Sequence, residues 1–421
     1  MRFKLDTVEP VKLYAVLREE EYPFILESAE KLTKRSRYSF LSANPDFVVE
    51  VGKRARIDGE ILDESNPFEV LRKLSPKGFL VGYVAYDAVH NYIRGEVVEP
   101  SVFGCYPNVF IYDHAENALF FLGEREKLGW AESVVRKARS VELREPEAHA
   151  ELLSCDADRE DFVEMVEKAK DYIFDGEAFQ VVLSREYELS SDMSAFDIYL
   201  RLRKLNPSPY MFCIEFDKSL AASSPETMCS IEGKVLKVNP IAGTAGRGES
   251  EEEDEEIARR LLNDEKELAE HVMLVDLARN DVRKVSKPGS VKVTMFMEVL
   301  KYSHVQHIES EVIGELASDA FTAVEACFPA GTLVGAPKVR AMEIIDELER
   351  SRRRVYGGCV GYFSADRTDM AIAIRMVEID RVHRVRAGAG IVADSNPERE
   401  FEETERKMAA VLAAMGYDSR Y

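Results

Sequence analysis

The chain has 421 residues, 46% of them hydrophobic and 32% charged, which is enough apolar material for a sizeable core and too much for a disordered chain. Its 77 acidic residues outnumber its 56 basic ones for a formal net charge of -21, so nucleic acid is not an expected partner, and an anionic ligand would need local help from an arginine, backbone amides or a bound cation. The six cysteines are scattered without a C-x-x-C pair and no run approaches the roughly 20 apolar residues of a membrane span, so zinc, disulfides and a membrane are not expected and a cytoplasmic location is.

In chain order, FVVEVG at 47–52, FLVGYVAYDA at 79–88 and NVFIYD at 108–113 read as strands. A charged helix from Lys127 to about Arg144 leads into EPEAHAELL, the best linker candidate, and suggests a boundary near residue 150. From Asp158 the pattern turns helical, with Phe162, Val166, Ala169 and Ile173 on one face and a stop at Gly176. A strand follows in AFQVVLSREYEL, then alternating apolar runs in YMFCIEF, MCSIEG, VLKV, CVGYF, MAIAIRMVEI and VHRVRAGAGIV, with helices between some of them. Many hairpin-like strands with a few helices point to an α+β fold and not to a parallel βαβ array. The acidic run GESEEEDEEIARR reads as a solvated helix start, where negative charge is favoured.

Two helical stretches carry chemistry. DEKELAEHVMLVDLARNDV places Glu267 and Glu270 three residues apart on one face, and NPEREFEETERKMAAVL does the same with Glu400 and Glu403. Four carboxylates converge only around a cation, and magnesium suits them because it takes oxygen ligands, keeps waters and can bridge to an anionic substrate. Either pair alone reads equally as solvated helix glutamates paired with Lys266 or Arg406.

Three look-alike motifs fail. GGCVGYF has Phe363 where an amidotransferase nucleophile turn has glutamine, which leaves Cys359 as a strand cysteine; GAGIVA lacks the helix and the acid of a dinucleotide fingerprint; GTLVGAPK is an incomplete P-loop. The glycine runs still offer backbone amides to a carboxylate.

Taken together, GEAFQVVLS, LNPSPYMF, SSPE, PIAGTAGRG, DEKELAEHVMLVDLARND, VQHIESEVIGEL, FPAGTLVGAPK, VYGGCVGYF, AIAIR, AGAGIV and EREFEETERK, in this order between residue 158 and about 410, resemble the chorismate-utilising enzymes. The resemblance implies a layered helix/sheet/sheet/helix architecture with two large, mostly antiparallel sheets. It implies that Glu270 and Glu403 bind magnesium directly and Glu267 and Glu400 through water. The ring carboxylate of chorismate would meet the metal, the amides of Gly388 and Gly390, and Lys407. Tyr356 and Arg375 would hold the enolpyruvyl carboxylate, for which an arginine fork is apt. Thr332 would contact the same side chain, and Gly243 and Thr244 would wall the pocket. His307 matches the histidine beside the ring, and Glu226 the acid that protonates the departing C4 hydroxyl. On their own, these two read as a strand histidine and a turn carboxylate.

The branch of the family follows from two positions. Enzymes that add water carry a lysine base where this chain has Gln180, and those making 4-amino-4-deoxychorismate typically carry a nucleophilic lysine where it has Ala242. What is left is ammonia adding at C2 with loss of the C4 hydroxyl, then elimination of pyruvate to give anthranilate. No glutaminase module is present, so a separate glutamine amidotransferase subunit is the expected partner. An aminodeoxychorismate-forming subunit is the alternative enzyme; a tryptophan-binding sensor or scaffold without turnover is the non-enzyme one, and it would be supported by lost catalytic residues. Glu226, Thr244, Glu270, His307, Arg375, Glu403 and Lys407 are all present.

The N-terminal 145 residues resemble the family less, but ILESAE followed by RYSF looks like the tryptophan-sensing element of the anthranilate-forming branch, with Leu26, Glu27 and Ser28 as its tripeptide. Pro209, Tyr210, Met211 and Phe212 would complete that site, with Glu27 receiving the ammonium of tryptophan. The expected division is therefore a sensing region at 1–150 and a chorismate-binding catalytic domain at 151–421.

Overall fold

The computed structural model describes residues 1–28, 37–74, 78–301 and 305–417; the side chains of Thr244, Lys266 and Val305 lie outside that description. The strands form two large sheets whose neighbours pair antiparallel. One sheet runs from Arg2–Leu5 at an edge through Phe24–Glu27, Tyr210–Glu215, Ser219–Ser224, Met376–Ile379 and His383–Ile391 to Gln180–Ser190 and Glu151–Cys155. The other carries Ile241–Gly246, Val305–Glu315, Thr227–Glu232, Arg367–Ile372, Cys359–Phe363 and Phe79–Val84 in that spatial sequence, with Val235–Val238 between the second and third.

Three cores define the layers. Phe24, Phe212 and Ile214 from the first sheet meet Val81, Tyr83 and Val360 from the second in the space between them. Helices Pro10–Leu17, Ala195–Leu205 and Pro397–Ala414 cover the outer face of the first sheet with Leu13, Ile198 and Leu412. Helices Glu265–Val285 and Ala320–Cys327 cover the second with Val282 and Val324, while Lys338–Leu348, with Ile344 buried, packs against Gln180–Ser190 of the first. The α+β, four-layer architecture expected from the sequence is the one observed.

Local physics set most elements. The Asp158 carboxylate accepts from the Asp161 amide and caps the Arg159–Phe174 helix, which buries Phe162, Val166 and Ala169 together with Met165 and leaves Ile173 partly buried. Ser250 caps Glu251–Leu261 in the same way, so the acidic run is a helix start. Elsewhere the structure departs from the sequence reading. The strand at 79 stops at Val84 and turns into a 3-10 helix over Tyr86–Asn91, and the helix near 127 spans only Leu128–Arg139. The supposed linker ends inside a strand, Glu151–Cys155, which pairs with Gln180–Ser190. Pairing also crosses residue 150 in both sheets, between Phe24–Glu27 and Tyr210–Glu215 in one and between Phe79–Val84 and Cys359–Phe363 in the other.

The run MAIAIRMVEI, one strand by its alternation, is two. Arg367–Ile372 belongs to the second sheet and Met376–Ile379 to the first, and Arg375 lies in the crossing with φ 51. A second crossing runs beside it, from Ser219–Ser224 in the first sheet through Pro225 and Glu226 to Thr227–Glu232 in the second. The two are stitched together: the Ser223 amide donates to Arg375 O at 3.0 Å, the Ile372 amide to Glu226 O at 3.0 Å, and Ser224 Oγ to Ile372 O at 2.7 Å.

Candidate functional site

Glu226 and Arg375 thus leave the sheets at adjacent points. Thr332, in the short Gly331–Val334 helix, donates to Glu226 Oε1 at 2.9 Å. Burial is the largest influence on the Glu226 carboxyl and pushes it up to about 7, against the opposing pull of the Thr332 hydroxyl, Lys407 and Arg375. Arg375 Nη1 donates to Lys407 O at 3.2 Å. Burial lowers its pKa, which Tyr356, Glu403 and Glu226 partly offset, and an arginine so placed keeps its charge. Tyr356 is buried, and that burial raises its phenol to about 12, so it stands as a neutral donor.

His307 faces Thr244 across the pairing of Val305–Glu315 with Ile241–Gly246. The register breaks between Ala242 and Thr244, where Gly243 sits at φ 60, a conformation that suits glycine; a Cβ there would stand 3.3 Å from Glu267 Oε2. Burial drives the His307 imidazole down to about 4, Arg375 adds to this, and a hydrogen bond with the Gly243 backbone opposes it. The site therefore holds a carboxyl moved up and a histidine moved down, the separation by environment that suits one group to give a proton while the other stays neutral.

The carboxylate pairs lie on the helices Glu265–Val285 and Pro397–Ala414. Gln180 Nε2 donates to Glu270 Oε1 at 3.0 Å, and a Cβ on Gly390 would come within 2.7 Å of that same nitrogen and 3.8 Å of Glu270 Oε1. On the other helix Lys407 Nζ pairs with Glu403 Oε1 at 2.5 Å and donates to Gly388 O at 2.9 Å, while Glu400 is buried. Gly388 and Gly390 are two apart on one strand, so both helices bring a carboxylate to the same short stretch.

The amides of that stretch are directed toward the site. Gly388 is opposite Ser184 and Gly390 opposite Val182. The Ser184 amide donates to Glu349 Oε1 at 2.8 Å and Val182 O accepts from Arg353 Nη2 at 2.7 Å, so these pairs exchange no hydrogen bonds with each other. In an antiparallel ladder such pairs alternate with bonded ones, which turns the Gly388 and Gly390 N–H groups away from the partner strand.

Among the described residues no group of three or more His, Cys, Asp or Glu side chains is close enough to hold a metal ion by itself. The donor chemistry does fit a hard dication: carboxylate oxygens from two helices, and beside Glu270 the buried Oε1 of Gln180, which has no hydrogen-bond partner.

A cavity of about 430 Å³ lies between the sheets, and Leu26, Glu27, Ser28, Tyr210, Met211 and Phe212 line one wall. Pro209 is not among the lining residues, and Ala29 and Glu30 of the ILESAE stretch lie outside the described residues. Strand pairing sets Leu26 against Phe212 and Glu27 against Met211. Glu27 is buried and already neutralised, with Arg203 gripping both oxygens at 2.6 and 2.7 Å and Tyr199 OH donating at 2.5 Å. An incoming ammonium would find little charge left there. The opposite wall, with Tyr362, Arg367, Asp369, Lys237 and Glu311, comes from the second sheet and escaped the sequence reading, since nothing local in the chain links it to residue 26. A second cavity, of about 30 Å³, lies behind Glu226 and Thr332; Thr227 and Asn239 line both.

Cys359 is a buried strand residue whose thiol burial pushes up to about 12, in keeping with its reading as a strand cysteine. The Gly388–Gly390 run is strand and not a helix start. Sequence reasoning did not single out His271 or Arg353. His271 is buried one residue from Glu270 and bonded through Nε2 to Ser310 Oγ at 2.6 Å; Arg353 is buried beneath the Tyr356 ring and donates to Leu333 O at 2.7 Å.

The family described as chorismate binding enzyme matches residues 21–413. Anthranilate synthase component 1 of Thermococcus kodakarensis is 59% identical over 426 residues, covering 98% of each chain, and that of Archaeoglobus fulgidus is 55% identical over 416 residues, covering 98% of this chain and 99% of that one. Among solved structures, anthranilate synthase component I from Streptococcus pneumoniae superposes with a TM-score of 0.80 at 34% identity, covering 90% of this chain and 93% of that chain. The menaquinone-specific isochorismate synthase of Escherichia coli, at 19% identity and a TM-score of 0.78 over 99% of this chain and 94% of that one, shares the fold.

Proposed function

The chain belongs to the chorismate binding enzyme family, and from that premise we propose that it is the subunit of an anthranilate synthase that turns chorismate and ammonia into anthranilate and pyruvate. The observation that carries the reading is the meeting of Glu226, Thr332 and Arg375 at the paired sheet crossings, with the Glu226 carboxyl raised to about 7 and His307 lowered to about 4.

In this reading Arg375 and Tyr356 grip the enolpyruvyl carboxylate, Thr332 contacts the same arm, and the amides of Gly388 and Gly390 with Lys407 receive the ring carboxylate. Glu270 and Glu403 would hold magnesium directly and Glu267 and Glu400 through water; when bound, the ion supplies positive charge to the ring carboxylate. Glu226, about half protonated at neutral pH, gives its proton to the C4 oxygen as ammonia adds at C2. His307, neutral and fixed by Gly243, takes the ring proton in the elimination that releases pyruvate. Gly243 and Thr244 wall the pocket beside it. Ala242 offers no nucleophile to a ring carbon.

The name component 1 shared by the relatives accords with a second subunit, which we take to be a glutamine amidotransferase supplying ammonia. Tryptophan would inhibit from the cavity of about 430 Å³, where Leu26, Ser28 and Tyr210 to Phe212 offer an apolar slot and where charged groups from both sheets could take its ammonium and carboxylate. The division near residue 150 is then one of role, sensing before it and catalysis after it, and the enzyme would work in the cytoplasm. The test is to incubate the purified chain with chorismate, magnesium and ammonium and follow anthranilate fluorescence. Anthranilate with ammonium but not with glutamine is expected; isochorismate or 4-amino-4-deoxychorismate as product would overturn the reading.

A further inference from the structure

Behind the carboxyl of Glu226, on the side covered by the Glu265–Val285 helix, lies the cavity of about 30 Å³. About 10 to 15 Å³ of such space is enough to hold one water, and a buried water needs two to four polar partners. Its lining is polar at Glu226, Thr332, Thr227, Asn239 and Asp281 and apolar at residues that include Leu277 and Ala278. Asp281 pairs with Lys338 at 2.7 Å and with Lys284 at 2.9 Å, and the Lys284 side chain is 59% exposed, so the charged groups of this lining connect to bulk solvent.

We propose that this cavity is a water vestibule through which Glu226 is reprotonated and the water formed from the C4 hydroxyl leaves. The proposal rests on the reading of Glu226 as the acid. In that step the ammonia lone pair forms the C2–N bond, the ring π electrons shift, and the C4–O bond breaks with its electron pair going to oxygen. The oxygen takes the Glu226 proton and departs as water, which leaves a carboxylate. A water in the vestibule then returns one proton to Glu226, and the new ammonium group releases one to solvent, so the net change is chorismate plus ammonia to aminated product plus water. Arg375 and Lys407, which the proposed function assigns to the substrate, act on the Glu226 carboxyl but do not line this cavity, so a hydrated space there would supply the proton by a route separate from the bound substrate.

Ala278 lies in the wall and does not touch the reacting atoms, and Ala278→Val would fill the space. With chorismate, magnesium and ammonium, kcat should fall about tenfold or more, a part of the roughly 10²- to 10⁴-fold that positioned proton transfer contributes. The KM for chorismate should stay within about twofold and the solvent deuterium isotope effect on kcat should grow, because a plugged wall slows proton return and not binding. A high-resolution crystal structure of the unaltered chain should show an ordered water in the cavity bonded to the Glu226 carboxyl. Parental kcat and isotope effect in Ala278→Val, or a dry cavity in the unaltered chain, would overturn the vestibule. If Ala278→Val fails to fold, the crystal structure decides. Glu226→Gln keeps the two readings apart: near-normal turnover would remove the acid itself, whereas an inactive Glu226→Gln beside a normal Ala278→Val would remove only the vestibule.

Discussion

Replacing Glu226 by glutamine preserves shape and the bond from Thr332 Oγ1 but removes the titrating group. The carboxyl is raised from 4.5 to about 7 with burial as the first cause. At about 1.4 kcal/mol for each tenfold, the difference between 7 and 4.5 comes to at most about 3.5 kcal/mol, of which about 3 falls between pH 5 and pH 8.5. Because the folded pKa is the higher one, this stability is fully present below pH 4.5 and is lost as pH rises through about 7. The unaltered chain should therefore lose up to about 3 kcal/mol between pH 5 and pH 8.5 from this group, and Glu226→Gln should lack that loss. Denaturant unfolding of both proteins at the two pH values measures it as a double difference. Activity should follow the same group: kcat/KM of the parent should fall on the alkaline side with a midpoint near 7, and Glu226→Gln should be slower by about 10² to 10⁴ without that limb. Equal stability differences at both pH values, together with an alkaline limb that survives in Glu226→Gln, would refute the reasoning.

Glu270→Gln and Glu403→Gln should each abolish turnover at moderate magnesium while leaving the fold intact; magnesium titrations of the variants check this, and normal magnesium dependence in both would make these glutamates ordinary helix residues. His307→Ala should slow the elimination more than the amination, so that an aminated, non-aromatic intermediate builds up on chromatography. Since burial keeps His307 neutral above about pH 4, the parent should show no acid limb near 6.5, and a limb there that disappears in His307→Ala would contradict the assignment. Ser28→Phe should raise the tryptophan concentration needed for inhibition by intruding on the cavity while leaving uninhibited turnover nearly unchanged; equal tryptophan titrations of the two enzymes would remove Ser28 from the site.

The cavity proposed for tryptophan is lined by both sheets. Leu26 to Ser28 and Tyr210 to Phe212 stand on one, while Tyr362 and Arg367 stand on the other. A ligand that contacts both favours one relative placement of them, which is the differential contact that allostery requires. Thr227, next to Glu226 in the chain, and Asn239 border this cavity and the smaller one, so Glu226 lies one residue from the wall of the cavity between the sheets.

What the sequence determined by itself is the local order whose causes lie within a few residues. The 3.6 period put Glu267 with Glu270 and Glu400 with Glu403 on helices that the structure contains, and the Asp158 and Ser250 caps began helices where the polar residue precedes the apolar period. The ordered motifs identified the family because catalytic groups recur at fixed places in its fold. Tertiary structure alone decided the rest. The alternation of MAIAIRMVEI continues through Arg375, and only the left-handed turn at Arg375 shows that the strand changes sheets there, because alternation reports a buried face and not which sheet owns it. Glu27 reads as a free carboxylate until the Ala195–Leu205 helix brings Arg203 and Tyr199 to it from more than 170 residues away. The shifts at Glu226 and His307 likewise exist only once two sheet crossings and a covering helix have removed water from both, and desolvation is a property of the assembled layers, not of SSPE or HIES as strings.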